Sequence, residues 1–315
     1  MKAKYIIIIV VVGLLFLALM AAVIGAVVYT AYYGPIYGGR VALIRIEGVI
    51  TSGQGGSTLF GDRVAGAERI VKLLEDFRKD SSTKSLVLRI NSPGGSAAGS
   101  QEIYRQIMRV RRDGKKITVS MGDVAASGGY YVASAADRIF ADPATLTGSI
   151  GVIMETADLH ELLDRVGINL SAVKSGKHKD MGSYARPLTP EERQILQSLI
   201  DDVFDQFITD VAAGRKILKK EEVRKLADGR VFTGRQALRL KLIDETGGLE
   251  DALRAAAKDA GIKGDFSVEE YERPPSLFDI LFGSTDTRVP EWLKRSDSLA
   301  ELARRLLKAD ARFST

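Results

Sequence analysis

The sequence predicts an α/β fold with a mostly parallel sheet, preceded by one transmembrane helix. Three observations lead to this prediction. Short β-branched runs alternate with amphipathic stretches at helical spacing from residue 41 to residue 272. The 315 residues are 45% hydrophobic and 27% charged, which is enough apolar material for a sizeable core. No charged residue occurs between Tyr5 and Arg40, and this stretch is long enough to cross a bilayer.

The composition excludes several kinds of site. The absence of cysteine rules out disulfides and thiolate metal sites. The two histidines, His160 and His178, are too few for a metal site built from several imidazoles. The net charge of +5 is modest, and no basic run is interleaved with aromatic residues, which argues against nucleic acid as a partner. We therefore expect no metal, no cofactor and no nucleic-acid partner.

The N-terminus predicts an uncleaved membrane anchor over residues 5–33, after a cytoplasmic stub of residues 1–4. A cleaved signal peptide is the alternative, but its apolar region is usually only about 7–15 residues long. Lys2 and Lys4 precede the span and favour a cytoplasmic N-terminus. We therefore expect a single-pass protein of the cell membrane. Its chain would lie outside the cytoplasm from the linker 34–40 onward.

The soluble part divides into one domain over residues 41–272 and a tail over residues 273–315, which we expect to be partly helical or disordered. The tail holds a predicted helix from Ser298. Thr189 and Pro190 are typical of a helix N-cap and first turn. Strands are predicted at 41–50, 85–90, 116–122, 138–141, 149–154, 168–176 and 266–271, and helices at 65–79, 97–112, 157–167, 188–214, 219–229, after residue 233 and at 249–261.

The sequence "NSPGGS" at 91–96 lies between a predicted buried strand and a helix. Pro93 fixes one backbone angle, and the two glycines that follow permit angles that other residues resist. Such a turn exposes N–H groups that can hold an anion. An ordinary strand-to-helix connection is the alternative. The turn is not a Walker loop, because no Gly-Lys-Ser/Thr follows it.

Ser127 ends a second predicted strand and begins a helix of small residues. A nucleophile at this point would form its oxyanion beside the free N–H groups of the helix N-terminus. The competing interpretation is a helix N-cap, since serine is among the best caps. The G-x-S-x-G pattern of a nucleophile elbow is absent. The residues alone leave both interpretations open.

A serine nucleophile needs a base. The histidine at 160 lies on a predicted helix and that at 178 in a polar loop, beside Lys174, Lys177 and Lys179. A lysine serves as a base where burial disfavours its charged form. Three lysines in a polar loop more often form a solvated surface. The spacing does not decide among these residues.

Four motifs resemble a known family when they are read in order. They are "NSPGG" (91–95), "AASGGYYVASAAD" (125–137), "ATLTGSIGVI" (144–153) and "SGKHKDMGS" (175–183). Together they closely resemble the signal peptide peptidase A (SppA) family of membrane-anchored Ser-Lys proteases, in its short single-domain form. The likeness covers about residues 40–272. It implies a Clp/crotonase-like fold with repeated β-β-α units.

The resemblance also implies roles for individual residues. The nucleophile of the family falls on Ser127 and its lysine base on Lys179. The backbone N–H groups of Gly94 and Ser127 would form the oxyanion hole. Ser149 would orient the lysine amine, and we expect burial among apolar side chains around Lys179. Asp180 matches the motif, and we assign it a structural role.

The activity implied by the resemblance is endopeptidase cleavage of remnant signal peptides after their release from secreted proteins. The family also implies a homo-oligomer whose neighbouring subunits enclose the active sites. Two alternatives are compatible with the same sequence. The chain could be a catalytically inactive membrane-anchored scaffold, or a crotonase-like acyl-CoA enzyme.

Overall fold

The computed structural model describes residues 13–22, 25, 39–57 and 63–271. Of the predicted anchor, residues 13–22 and residue 25 are helical, and the rest of it lies outside the described residues. The tail 273–315 also lies outside them. Within the described ranges, no helix combines the length and the apolar character needed to cross a membrane. The anchor and the tail therefore stay predictions.

The described residues form an eight-stranded, mostly parallel sheet and a small three-stranded one, which agrees with the predicted α/β class. The strand order along the large sheet is β10-β7-β6-β5-β1-β11, with β8 pairing β6 and β9. The strands are β1 (Arg40–Glu47), β2 (Val49–Thr51), β3 (Gly55–Ser57), β4 (Arg63–Gly66), β5 (Ser85–Ser92), β6 (Lys116–Ala126), β7 (Arg138–Ala141), β8 (Leu146–Gly148), β9 (Val231–Thr233), β10 (Glu245–Thr246) and β11 (Ser267–Glu270).

The helices fall close to their predicted positions. Thr189 caps the longest one, and its hydroxyl accepts a hydrogen bond from the Glu192 N–H, as the predicted N-cap requires. The helices are α1 (Ala67–Lys79), α2 (Ala97–Arg112), α3 (Gly128–Ser134), α4 (His160–Arg165), α5 (Pro190–Gly214), α6 (Lys220–Leu226), α7 (Gly234–Arg239) and α8 (Leu249–Asp259).

Alternate residues of the central strands pack on opposite faces of the sheet. In β1, Ala42 and Ile44 belong to the larger core cluster, which includes residues of α1 and α2. Val41 and Leu43 belong to a second cluster, which includes residues of α8. Burial on both faces explains why these strands read as continuous apolar runs. Because β5 and β6 are parallel neighbours, the turns that follow them open at the same edge of the sheet.

Three strand predictions differ from the structure. The predicted strand 41–50 breaks at Gly48, whose φ of +83° and contact with the backbone of Arg63 interrupt the ladder. The segment 149–154, predicted to be a strand, contains none, because β8 ends before it at Gly148 and Ser149 has a positive φ of 50°. Residues 168–176 form no strand, because no strand in the described part of the chain pairs with them and all of them are exposed. The apolar alternation of these residues matches a strand, but a strand also needs a neighbour for its backbone hydrogen bonds, and the sequence pattern does not show one.

Candidate active site

Ser127 lies at a sharp turn between β6 and α3. Its backbone has φ of 53° and ψ of −121°, a conformation that costs a non-glycine residue energy and that proteins tend to retain at functional sites. Its side chain makes no capping hydrogen bond to α3. Ser127 is partly exposed, whereas the residues on either side of it are buried. The structure therefore does not support the N-cap interpretation.

The first turn of α3 is held against two buried serines. A Cβ atom at Gly128 would lie 2.3 Å from the Oγ atom of Ser100. A Cβ atom at Gly129 would lie 2.8 Å from the carbonyl oxygen of Ser92. Only glycine fits at these two positions, so the sequence Ser-Gly-Gly is required for the helix to begin this close to its neighbours.

The Pro93-Gly94-Gly95 turn contacts the Ser127 turn directly. A Cβ atom at Gly94 would lie 2.7 Å from the backbone nitrogen of Gly128 and 2.8 Å from the Cβ atom of Ser127. Gly94 and Gly95 have φ of +103° and +145°, which only glycine adopts without strain. The two glycine-rich turns found in the sequence thus form one site.

The two amides predicted for the oxyanion hole already have acceptors. The Gly94 N–H donates to the Oγ atom of Ser92 at 3.1 Å. The Ser127 N–H donates to the carbonyl of Gly148 at 2.8 Å. In this structure, neither amide is free to bind a negatively charged oxygen.

Two other amides in the same place are free. The carbonyl of Gly94 accepts from the Ile50 N–H at 2.8 Å. In a trans peptide the C=O and the next N–H point in opposite directions, so the Gly95 N–H points away from Ile50. Its nitrogen lies 3.3 Å from the position of a Cβ atom at Gly128. Among the residues that the structure describes, neither the Gly95 N–H nor the Gly128 N–H has an acceptor.

Ser149 is adjacent to Ser127 across two paired strands. It follows Gly148 directly, and Gly148 is the residue whose carbonyl binds the Ser127 N–H. Ser149 also has a positive φ, of 50°, and its N–H donates to the carbonyl of Arg230 at 2.9 Å. The structure therefore places both predicted serines in strained conformations at one point of the sheet edge.

Lys179 lies in a different part of the chain. Its side chain is exposed, and within the described ranges no hydrogen bond joins it to Ser127. The burial expected for Lys179 is absent in the single chain, because no residue between 151 and 191 is buried. The segment 151–189 thus carries Lys179 without contributing to either core cluster.

The loop that bears Lys179 is held by ion pairs centred on Arg186. The Arg186 guanidinium donates to Asp180 at 2.9 and 3.0 Å and to Glu192 at 2.6 and 2.9 Å. These bonds lower the pKa of the Asp180 carboxyl, and they lower that of Glu192 from 4.5 to about 2. Lys174 also donates to Asp180, at 2.6 Å. The structural role predicted for Asp180 agrees with these contacts.

Neither histidine contacts the serine turn. The Nε2 atom of His178 lies 3.4 Å from the carboxylate of Glu191, which also pairs with Lys177. His160 pairs with Asp158 at 2.6 Å on an exposed part of the chain, and this contact raises the pKa of the imidazole. A Ser-His-Asp triad is therefore not formed by the described residues.

Sequence reasoning missed the two free amides and the ion pairs of Arg186. A signal for Gly128 was present, because the first N–H groups of any helix lack partners within that helix. Gly95 could not be chosen over Gly94 from the sequence, because the choice depends on β2, 45 positions away at Ile50. Among the described residues, no group of three or more aspartate, glutamate, histidine or cysteine side chains is arranged to hold a metal ion.

Comparison with known proteins agrees with this geometry. Residues 109–263 match the model of peptidase family S49, and residues 62–145 match that of Clp protease. A candidate protease of Synechocystis sp. is 41% identical over 245 residues, which cover 78% of this chain and 83% of that protein. A candidate signal peptide peptidase SppA of Enterococcus faecium is 32% identical, with 80% of this chain and 72% of that protein covered.

A longer relative matches over a smaller share of its length. The chloroplastic serine protease SPPA of Arabidopsis thaliana is 37% identical in sequence. The aligned part covers 78% of this chain but only 37% of the length of that protein. The match to peptidase family S49 spans the β6 strand, the Ser127 turn and the loop of Lys179. The chain is a serine-type peptidase with a Clp protease-like domain, and it belongs to peptidase family S49, within the SppA group.

Proposed function

We propose that the chain is a Ser-Lys endopeptidase in which Ser127 is the nucleophile and Lys179 the general base. The observation that carries the proposal is the strained, uncapped and partly exposed Ser127 beside two free amides. Lys179 is assigned from its position in the motif that resembles the SppA family. Ser149, adjacent to the Ser127 turn, would orient the lysine amine.

The proposed oxyanion pocket consists of the N–H groups of Gly95 and Gly128, in place of those of Gly94 and Ser127. This choice is supported by the hydrogen bonds that the N–H groups of Gly94 and Ser127 already donate within the protein. Paired backbone donors of this kind account for a large share of the rate enhancement in acyl transfer. Gly128 has the further advantage of the positive end of the helix dipole.

The proposed reaction proceeds through an acyl-enzyme. Neutral Lys179 takes the proton of the Ser127 hydroxyl as its Oγ atom attacks the peptide carbonyl carbon, and the carbonyl oxygen becomes an oxyanion. The lysine ammonium then protonates the leaving amine, and the C–N bond breaks. Water, deprotonated by the same lysine, attacks the ester carbonyl carbon, and the bond from that carbon to the Ser127 Oγ atom breaks. The lysine ammonium returns its proton to Oγ, so the second peptide is released with Ser127 and neutral Lys179 restored.

We further propose that the substrates are remnant signal peptides, cleaved at the outer face of the cell membrane. The uncharged stretch 5–33 supports a single-pass anchor, and Lys2 and Lys4 support a cytoplasmic N-terminus. The name of the Enterococcus faecium relative, a candidate signal peptide peptidase, supports the substrate class. An anchored enzyme would meet apolar peptides that stay in the bilayer.

A homo-oligomer is the proposed active form. In the segment 151–189, Ile153 is 81% exposed and Val173 is 106% exposed, and Leu162 and Val166 are also exposed. A run of exposed apolar side chains is typical of an interaction surface. Packing of this segment on a second copy of the chain would supply the apolar surroundings that Lys179 needs as a base.

The test is cleavage of a synthetic signal peptide by the full-length protein in detergent. We expect cleavage by the wild type and none by Ser127→Ala, with both proteins folded. An inactive scaffold would cleave nothing. A crotonase-like enzyme would instead hydrate an enoyl-CoA ester, which the same preparation should leave unchanged. Either of these two results would contradict the proposed function.

A further inference from the structure

Ser92 connects the two turns of the site. It is the last residue of β5, and it is completely buried. Its Oγ atom accepts a hydrogen bond from the Gly94 N–H at 3.1 Å. Its carbonyl oxygen lies 2.8 Å from the position that a Cβ atom would take at Gly129 in the first turn of α3. One side chain therefore holds the glycine turn, while the backbone of the same residue supports the helix of Ser127.

The Ser92 hydroxyl is one of two restraints on Gly94. The other is the Ile50 N–H, which donates to the Gly94 carbonyl at 2.8 Å. With its N–H and its C=O both bound, Gly94 keeps the φ of +103° that it shows. A glycine is otherwise free to rotate, because it lacks the Cβ atom that limits other residues.

The direction of the Gly95 N–H follows from these restraints. The peptide that joins Gly94 to Gly95 has its carbonyl on the side of Ile50, so its N–H points away from Ile50. The Gly95 nitrogen lies 3.3 Å from the position of a Cβ atom at Gly128. Gly94, which carries the restrained amide, is buried, and Gly95, which carries the free amide, is exposed. Rotation of Gly94 would turn the Gly95 N–H away from Ser127.

We propose that Ser92 is a positioning residue that keeps the Gly95 N–H directed at the oxyanion. The inference rests on the proposed function, since it assigns Ser92 a role in the same site. Without the hydroxyl, the buried Gly94 N–H has no acceptor, and a buried unpaired donor favours any rotation that gives it a partner. The amide of Gly94 would then compete with that of Gly95 for the space beside Ser127.

The test compares Ser92→Ala with Ser85→Ala in the full-length protein. Ser85 is the first residue of the same strand, is equally buried, and its hydroxyl has no partner among the described residues. Removing either hydroxyl changes the side-chain volume by the same amount. Only Ser92→Ala removes a hydrogen bond that restrains Gly94. The readouts are kcat and KM for peptide cleavage, the inhibition constant of a peptide boronic acid and the melting temperature.

We expect Ser92→Ala to lower kcat by about 10- to 100-fold, less than the loss of an oxyanion donor itself, with KM unchanged. The boronic acid, whose tetrahedral adduct mimics the oxyanion, should lose affinity by a similar factor. Ser85→Ala should match the wild type in all four measurements. Ser92→Cys keeps a weaker acceptor at the same point, and its kcat should lie between the wild type and Ser92→Ala.

A folded Ser92→Ala protein with the kcat of the wild type would overturn the inference, as would equal losses in kcat for Ser92→Ala and Ser85→Ala. A Ser92→Ala protein that does not fold would show that the hydroxyl is needed for the fold, which also overturns a positioning role. Failure of the wild type itself to cleave the peptide would count against the proposed function instead.

Discussion

The backbone N–H of Ser127 donates to the carbonyl of Gly148 at 2.8 Å, and this bond joins the end of β6 to the end of β8. It has two consequences for the proposed chemistry. Ser149 is brought next to the nucleophile. The Ser127 amide is also removed from the oxyanion pocket, which leaves that function to the free amides of Gly95 and Gly128.

The contact between Gly128 and Ser100 predicts a steric effect at the pocket. A methyl group at position 128 would lie 2.3 Å from the Ser100 Oγ atom, which is too close for any real contact. We expect Gly128→Ala to displace the amide and lower kcat by about 100-fold or more, the usual loss for an oxyanion donor. Overpacking should also destabilise the protein by about 1–3 kcal/mol in thermal unfolding.

Gly53→Ala is the matched control, because a Cβ atom at Gly53 meets nothing within 4 Å. Its activity and melting temperature should equal those of the wild type. The double variant Ser100→Ala with Gly128→Ala should recover part of the loss, since the crowding oxygen is gone. Wild-type activity in Gly128→Ala would contradict the proposed pocket.

The base should be Lys179 and not one of its neighbours. Lys177 and His178 both pair with Glu191, whereas Lys179 forms no such pair among the described residues. We expect Lys179→Ala to abolish cleavage of a short soluble peptide. Lys177→Ala and His178→Ala should keep most of the wild-type kcat. Loss of activity in folded His178→Ala, with Lys179→Ala active, would indicate a histidine base.

The ion pairs of Arg186 predict acid sensitivity in the loop of Lys179. Bonding to Arg186 lowers the pKa of Glu192 from 4.5 to about 2. A depressed carboxyl pKa contributes stability that is complete above pH 4.5 and is lost as the pH falls toward 2. Arg186→Gln removes this contribution, so we expect its acid unfolding, followed by circular dichroism, to begin at a higher pH than in the wild type.

Arg165→Gln is the control for that experiment. Arg165 also pairs with a carboxylate, that of Glu161 at 3.8 Å, but both side chains are largely exposed. An exposed pair of this kind contributes little to stability. The acid transition of Arg165→Gln should therefore overlay that of the wild type, and an Arg186→Gln transition at the wild-type pH would contradict the prediction.

The exposed segment 151–189 predicts that assembly depends on its apolar side chains. Val173 is 106% exposed in the single chain, so Val173→Asp removes no contact within that chain. We expect this change to reduce the mass measured by light scattering and to lower the specific activity. Ile217→Asp, at a 55% exposed position outside the segment, should leave both unchanged. A Val173→Asp protein of wild-type mass and activity would refute the assigned interface.

Much of the structure around Ser127 could be predicted from the sequence. An apolar strand, a serine and a run of small residues specify a strand, a tight turn and a buried helix, and the structure has these at β6, Ser127 and α3. Helix α2 has its predicted bounds of Ala97 and Arg112, because its apolar spacing and its Ser96 N-cap indicate the same first turn. The sequence pattern was sufficient to predict an element where the conformation that a segment prefers locally is also the one that its packing in the fold requires.

The rest depended on contacts between distant parts of the chain. The choice of free amides is decided by Gly148 and Ile50, which bind the serine turn and the glycine turn from other strands. The apolar run at 168–176 matched the pattern of a strand, but none of the described strands pairs with it. The position of Lys179 relative to Ser127 likewise could not be predicted, because the segment 151–189 contributes to neither core cluster that would fix it.

Whether Ser127 is the nucleophile is tested by covalent labelling of the full-length protein with a fluorophosphonate, followed by intact-mass measurement and peptide mapping. We expect one adduct per chain, on the Oγ atom of Ser127. We also expect no adduct on Ser127→Ala and slow labelling of Lys179→Ala. An adduct on another residue, or a Ser127→Ala protein that still takes the label and cleaves peptide, would contradict the assignment of Ser127.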